Sequence, residues 1–183
     1  MLNGVVSEVH FSNLTRLYIF YAFENQLTLD VRHNWILHFQ FQDLSLLSWN
    51  LGPKFPSWLC SQSHLWVLDI SNIGISDMVP SSFWNLSSNF KFLNLSHNQI
   101  YGEIPNSQMI LSTFSVIDLR SNHFKVPLPY ISSNVTMLDL SNNLFVGSIS
   151  HLLCYKMNES KQIELLNLGK NLLSGKIQIG RAS

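Results

Sequence analysis

Charge is scarce in this chain: Asp, Glu, Lys and Arg make up 12% of its 183 residues, about half the share of an ordinary soluble domain. Eleven basic residues balance eleven acidic ones. No net field draws in nucleic acid or an anionic membrane surface, so nucleic acid is not expected as a partner. Cysteine is nearly absent, with Cys60 and Cys154 alone and no C-x-x-C pair. The seven histidines, at 10, 33, 38, 64, 97, 123 and 151, form no H-E-x-x-H, so neither a metal nor a cofactor is expected. G-x-S-x-G, P-loop and G-x-G-x-x-G motifs are missing too, and the chain does not read as an enzyme. No stretch approaches the roughly 18 consecutive apolar residues of a membrane span. Asn3, Ser7, Glu8 and His10 break up the region where a secretory leader would be apolar.

What is present is repetition. Leu65-Trp-Val-Leu68-Asp-Ile70-Ser-Asn returns as Phe90-Lys-Phe-Leu93-Asn-Leu95-Ser-His-Asn98-Gln-Ile100-Tyr-Gly102-Glu-Ile104-Pro105. A period of 20 to 29 residues written L-x-x-L-x-L-x-x-N marks leucine-rich repeats. The fourth motif position falls at Leu17, Leu44, Leu68, Leu93, Ile117, Leu138 and Leu166, with gaps of 27, 24, 25, 24, 21 and 28 residues.

Each unit has a physical logic. Side chains alternate across a short strand, so Leu138 and Leu140 are expected to face a core while Asp139 and Ser141 face solvent. One unit cannot bury its own apolar face, but units stacked in parallel share a continuous core. At the ninth position Asn98, Asn122, Asn143 and Asn171 are expected to turn inward and satisfy backbone groups of adjacent turns. Trp49 and Ile73 stand where that Asn belongs, Asp77 replaces the later Gly and Gln178 the Pro. The expected fold is an α/β repeat solenoid of about seven repeats over residues 12–178, with a parallel concave sheet and a helical outer side. An irregular segment 1–11 precedes it and a tail 179–183 follows. Neither end reads as a polar cap, so the isolated chain is expected to be marginally stable and prone to associate.

Continuations such as Leu173-Ser-Gly175-Lys-Ile177 resemble the plant extracellular subtype, L-x-x-L-x-L-x-x-N-x-L-x-G-x-I-P. Over residues 12 to 178, Asn13-Leu-Thr-Arg-Leu17, Trp49-Asn-Leu-Gly-Pro-Lys-Phe-Pro-Ser-Trp58-Leu59 and Leu68-Asp-Ile-Ser-Asn-Ile-Gly-Ile-Ser76-Asp look like the ectodomain of plant receptor-like proteins, notably the group with the fungal-xylanase receptors. The resemblance implies a slice of a ligand-recognition array on the outside of the plasma membrane. It also implies defence signalling, a peptide, protein or elicitor ligand, and a partner co-receptor kinase. Two other readings stand beside it: a secreted inhibitor of microbial wall-degrading enzymes, and a truncated product with no function of its own.

A binding function belongs on the concave face. There an apolar residue recurs at Val67, Phe92, Val116, Met137 and Leu165 beside a row of Asp or Asn, and His97 and Arg120 depart most from the generic repeat. Asp69, Asp118 and Asp139 also fit a purely structural role in the L-D-L-S phrase. Five N-x-S/T sequons, at Asn13, Asn85, Asn94, Asn134 and Asn158, are candidate glycan acceptors. Asn94 is the poorest of them, since it lies on the strand. Cys60 and Cys154 lie too many turns apart for a disulfide and read as packed thiols. Trp58 and Trp84 read as core residues of the convex side.

Overall fold

The computed structural model describes residues 2–32, 34–88, 90–105, 115–131, 133–150 and 162–175, with the side chains of 87 and 88 excepted. In chain order its strands are β1 (Asn3–Ser7), β2 (Ile19–Tyr21), β3 (Gln26–Asp30), β4 (Asp43–Ser45), β5 (Val67–Asp69), β6 (Phe92–Asn94), β7 (Val116–Asp118), β8 (Met137–Asp139), β9 (Val146–Gly147), β10 (Leu165–Asn167) and β11 (Leu172–Leu173). Seven of them, β2, β4, β5, β6, β7, β8 and β10, stack in chain order into one parallel sheet. The expected solenoid is therefore the observed one.

The pairing register fixes which residue of each turn is equivalent. Leu44 faces Leu68, Leu68 faces Leu93, Leu93 faces Ile117, Ile117 faces Leu138, and Leu138 faces Leu166, as the spacing predicts. In the first turn the partner of Leu44 is Phe20, so the expected Leu17 is three residues too early. Leu17 occupies the first motif position instead. Its neighbours Phe20 and Ala22 stand where later turns carry aliphatic residues, while Leu14 and Leu17 imitate the motif. Backbone conformation confirms the shift: Glu24, Ser48, Asn72, His97, Ser121, Asn142 and Lys170 all have φ between 52 and 67°. Each lies four residues after Phe20, Leu44, Leu68, Leu93, Ile117, Leu138 or Leu166.

The core follows from the alternation. Leu68, Leu93 and Leu138 at the fourth position, and Ile70, Leu95, Leu119 and Leu140 at the sixth, are fully buried. Burying one such side chain contributes about 1.5–3 kcal/mol. Among the described residues the outer side carries single turns α1 (Glu8–Phe11) and α2 (Ser81–Trp84), and 3-10 segments Ser57–Ser61 and Asn85–Ser88. Pro56 and Pro80 hold extended conformations just before two of these segments, limiting how early they can start. Trp58 and Trp84 are buried there.

The segment expected to be irregular is ordered. β1 pairs with β3 from Asn3 opposite Gln26 to Ser7 opposite Asp30, α1 follows, and Phe11 is buried against Phe20 and Trp35. A second outer pair, β9 with β11, forms at the far end.

Two kinds of joint hold successive turns together. In the later turns it is the predicted amide. Asn98 donates through Nδ2 to the carbonyls of Ile70, Leu95 and Ser96, and its Oδ1 accepts from the N–H groups of Ile73 and Ile75. Asn122, Asn143 and Asn171 repeat this, each reaching back one turn, to Leu95, Leu119 and Leu140 respectively. Each Oδ1 also accepts a backbone N–H, from Ile100, Phe124 and Phe145 in turn.

The corrected register adds Asn25 to this row, a residue the sequence reading passed over. Its Nδ2 donates to Ala22 and Phe23, and its Oδ1 accepts from Leu2.

The second and third turns do without the amide. Trp49 fills the ninth position of the second, and its indole N–H donates to the carbonyl of Ala22, the counterpart of Ile70. In the third, Ile73 uses its own backbone: its carbonyl accepts from Leu51 and Gly52, the job an Asn Oδ1 does elsewhere. Around them Phe20 meets Trp49 at 6.1 Å, Phe39 meets Phe41 at 5.1 Å and Trp35 meets Trp58 at 5.5 Å, edge-on or tilted as aromatic quadrupoles favour. Gln62, fully buried, ties this region together by accepting from Phe41 N–H and donating to Phe39 O.

Turns beyond the ninth position behave as the glycine pattern predicts where glycine is present: Gly102, Gly147 and Gly175 have φ of +94, +86 and +109°. Asp77 in their place rebuilds the corner with its carboxylate, which accepts from the N–H groups of Phe55 and Met78.

Candidate ligand-binding face

The concave sheet presents its third and fifth motif positions to solvent. Along the third position run Ile19, Asp43, Val67, Phe92, Val116, Met137 and Leu165. Neighbouring strands lie about 4.8 Å apart, so these side chains form one stripe. Val67, Phe92 and Val116 are half-buried by their neighbours, whereas Met137 and Leu165 are exposed. The five apolar candidates are thus brought together in a row. Ile19 extends the apolar character to the first turn, with Asp43 interrupting it.

The fifth-position row has a structural job. Asp69 Oδ1 accepts from Ser71 N–H and Oγ, Asn94 Oδ1 from Ser96 N–H, and Asp118 Oδ1 from Arg120 N–H. Asp139 Oδ1 accepts from Ser141 N–H and Oγ, and Asn167 Oδ1 from Gly169 N–H. Five consecutive turns therefore leave the strand through the same side-chain-to-backbone bond, a known way for Asp and Asn to terminate extended chain. The second oxygens of Asp69 and Asp139 accept from the amides of Asn94 and Asn167 in the next turn.

The bonding also explains why Ser71 and Ser96 are buried, although alternation alone would turn them to solvent. Their hydroxyl positions pack under the turn that the fifth-position side chain closes.

Arg120, at the seventh position, has room that those serines lack and lies exposed across two carboxylates. Its Nε is 3.4 Å from Asp118 and its Nη1 4.0 Å from Asp139. Burial pushes the Asp118 carboxyl above its ordinary range; the Arg120 N–H bond, the Arg120 charge and His97 pull it down, and Asp139 adds to the rise. His97 is exposed at the rim, in the left-handed turn after the strand, and its N–H donates to Arg120 O. His97 and Arg120 thus sit side by side on adjacent turns, at different depths of the face. At the first turn the Tyr21 hydroxyl donates to Asp43, which holds the phenol above its usual value.

One row was missed by the sequence reading. The second motif position carries Tyr18, Gln42, Trp66, Lys91, Ser115, Thr136 and Glu164, just ahead of each strand. Trp66 and Tyr18 are 42% and 57% exposed, large values for aromatic side chains. Lys91 Nζ lies 4.5 Å over the Trp66 ring. The signal was available: a Trp at a position outside the core pattern of its repeat.

Among the other candidates, Asn13, Asn85 and Asn134 are exposed, while Asn94 is half-buried and bonded to Asp69 and Ser96. Cys60 is a free thiol half-buried against the core. Asn158, Cys154, His33, His151 and Gln178 lie outside the described residues. Among the described residues no group of three or more His, Cys, Asp or Glu could hold a metal, and no helix is long and apolar enough to cross a membrane.

Comparison with known proteins places this geometry. The Leucine Rich Repeat family model matches residues 89–108 and 134–155. Receptor-like protein EIX2 of Solanum lycopersicum is 39% identical over 174 residues, covering 95% of this chain and 17% of that protein. Receptor-like protein EIX1 of the same species is 45% identical over 136 residues, 73% of this chain and 13% of its own length. The chain therefore spans less than a fifth of these relatives. Among solved structures, the leucine-rich-repeat ectodomain of the Arabidopsis thaliana membrane receptor kinase GASSHO1/SCHENGEN3, in complex with CASPARIAN STRIP INTEGRITY FACTOR 2, superposes with a TM-score of 0.78. It is 26% identical, and the match covers 93% of this chain and 20% of that one. The ectodomain of the Arabidopsis receptor kinase HAESA, solved with an IDA peptide hormone ligand, shares the fold at a TM-score of 0.71 and 24% identity, over 96% of this chain and 29% of that one.

Proposed function

Since the chain belongs to the leucine-rich-repeat proteins, with repeats of the plant receptor-like kind, we propose that it is a ligand-recognition segment of a plant cell-surface receptor-like protein. Its concave face binds a peptide, a protein or an elicitor of microbial origin on the extracellular side of the plasma membrane, in defence signalling. A co-receptor kinase supplies the catalytic output, and the repeats supply the binding surface.

The observation that supports this reading most is the stripe Val67, Phe92, Val116, Met137 and Leu165, continuous across five turns and open to solvent. With the fifth-position carboxylates already engaged by backbone N–H groups, the stripe, Arg120 and His97 remain for a partner. An extended segment with apolar side chains on one face and an acceptor or carboxylate near Arg120 complements that surface.

The reading is tested by selecting 12-residue peptides from a displayed random library against this chain and measuring their affinity for variants. Phe92→Ala and Arg120→Ala are each expected to weaken selected peptides by about tenfold, which corresponds to about 1.4 kcal/mol. Lys125→Ala, exposed and away from the stripe, is expected to leave affinity unchanged. Peptides indifferent to both concave substitutions would place recognition elsewhere.

A further inference from the structure

A second surface lies beside the stripe. Tyr18, Gln40, Gln42, His64 and Trp66 line an open cleft of about 380 Å³, within the size range of small-ligand sites. Tyr18, Gln42 and Trp66 hold the second motif position in three successive turns, so the two aromatic residues spring from backbone positions about 9.5 Å apart, two strand spacings. The smaller Gln42 lies between them and leaves the gap open.

Two polar groups of the cleft are unspent. Neither the Gln42 amide nor the His64 ring has a hydrogen-bond partner among the described residues. Gln40 is anchored, donating to Ser61 O and accepting from Ser63 Oγ. No carboxylate lines the cleft. Lys91, of the following turn, lies over one face of the Trp66 ring. Backbone groups are closed to a ligand: Gln42 N–H donates to Tyr18 O, and Gln42 O accepts from both Trp66 and Val67. A peptide therefore cannot dock here by extending the sheet.

The geometry points to a neutral β-1,4-linked oligosaccharide as the occupant of this cleft. A pyranose with equatorial hydroxyls has an apolar C–H face that packs on an aromatic ring, and a rim of hydroxyls that both donate and accept. Trp66 and Tyr18 supply the ring faces; Gln42, Gln40 and His64 supply amide and imidazole partners for the rim. An extended β-linked ribbon presents alternate rings at a spacing matching that of the two aromatic residues, and it carries no charge for which the cleft lacks a counter-ion.

The probes are cellohexaose, its α-linked counterpart maltohexaose, and a proline-rich peptide, each titrated calorimetrically into this chain and its variants. Cellohexaose is expected to bind saturably, Trp66→Ala to weaken it at least tenfold, and maltohexaose to bind at least tenfold more weakly. Circular dichroism checks that Trp66→Ala folds; if it does not, Tyr18→Ala, at a more exposed site, carries the same expectation. Absence of cellohexaose binding, equal binding of both sugars, indifference to both aromatic substitutions, or binding of the peptide in place of the sugar would each overturn the assignment. Phe92→Ala leaves this cleft untouched, so the outcome is independent of the peptide selection above.

Discussion

The second and third turns and the fourth to seventh turns follow the same backbone path with different chemistry at the joint. From the fourth turn onward one amide per turn, buried at Asn98, Asn122 and Asn143 and half-buried at Asn171, bonds to backbone groups of its own turn and the one before. In the second turn an indole N–H takes the place of the amide's bond to the preceding turn, and aromatic rings fill the space around it. In the third a backbone carbonyl does the accepting. The comparison teaches that the repeat demands a satisfied carbonyl and N–H at each joint, not an asparagine. Where the amide is lost, neighbouring aromatic volume replaces its ordering effect.

The sharpest way to break this comparison is to remove one joint of each kind. Asn98→Ala strands the N–H groups of Ile73 and Ile75 in a buried site. At about 1–3 kcal/mol per unsatisfied group, a loss of about 4 kcal/mol is expected in urea unfolding. Trp49→Phe keeps most of the volume and removes one donor, so about 1 kcal/mol should be lost. Equal losses would mean that the two joints do the same work and that the aromatic packing is incidental.

The left-handed eighth position tests whether the backbone is truly common to both regions. Ser48→Gly in the second turn and Ser121→Gly in the fifth relieve the same φ, 67 and 56°. Each also removes a hydroxyl that accepts from the next turn's amide, Asn72 or Asn142, so a net gain of at most about 0.5 kcal/mol is expected, read from the urea midpoint. A gain in one region alone would show that the joints impose different strain.

The smallest effect concerns the amide-jointed region alone. Asp118 has a folded-state pKa above its ordinary value, so the folded chain holds that proton more tightly than the unfolded one. Its contribution therefore favours folding below the ordinary carboxylate value and declines as pH rises through the raised one. Asp118→Asn keeps an acceptor for Arg120 N–H, as Asn94 and Asn167 do in other turns. It should flatten that decline in urea midpoints measured from pH 3 to pH 7. An unchanged slope would show that another group carries it.

The strands from Leu44 to Leu166 were legible because aliphatic alternation and the period coincide there. The first turn was misread by three residues because Phe20 and Ala22 do the work of leucines while Leu14 and Leu17 imitate them, and Asn25 was lost with that slip. On the concave face the third-position stripe was legible from alternation alone. The burial of Ser71 and Ser96 was not, because it depends on a bond from the fifth position that spacing does not reveal. Tyr18 and Trp66 escaped notice because their position lies outside the core-forming part of the motif, and only the stacking of turns sets them side by side.

The left-handed residues carry one more consequence. Glu24, Ser48, Asn72, His97, Ser121, Asn142 and Lys170 share a conformation and yet present five different side chains, an acid, a hydroxyl, an amide, an imidazole and an ammonium, in seven places. Their backbone N–H groups tie them to the sheet, as Ser48 to Ser71, Asn72 to Ser96, His97 to Arg120, Ser121 to Ser141 and Asn142 to Gly169 show, and the Ser48 and Ser121 hydroxyls add a side-chain bond between these residues, accepting from the Asn72 and Asn142 amides. The rim of the concave face is thus a keyboard mounted on a rigid frame, on which any single key can be exchanged for another polar one and the frame beneath keeps its tuning.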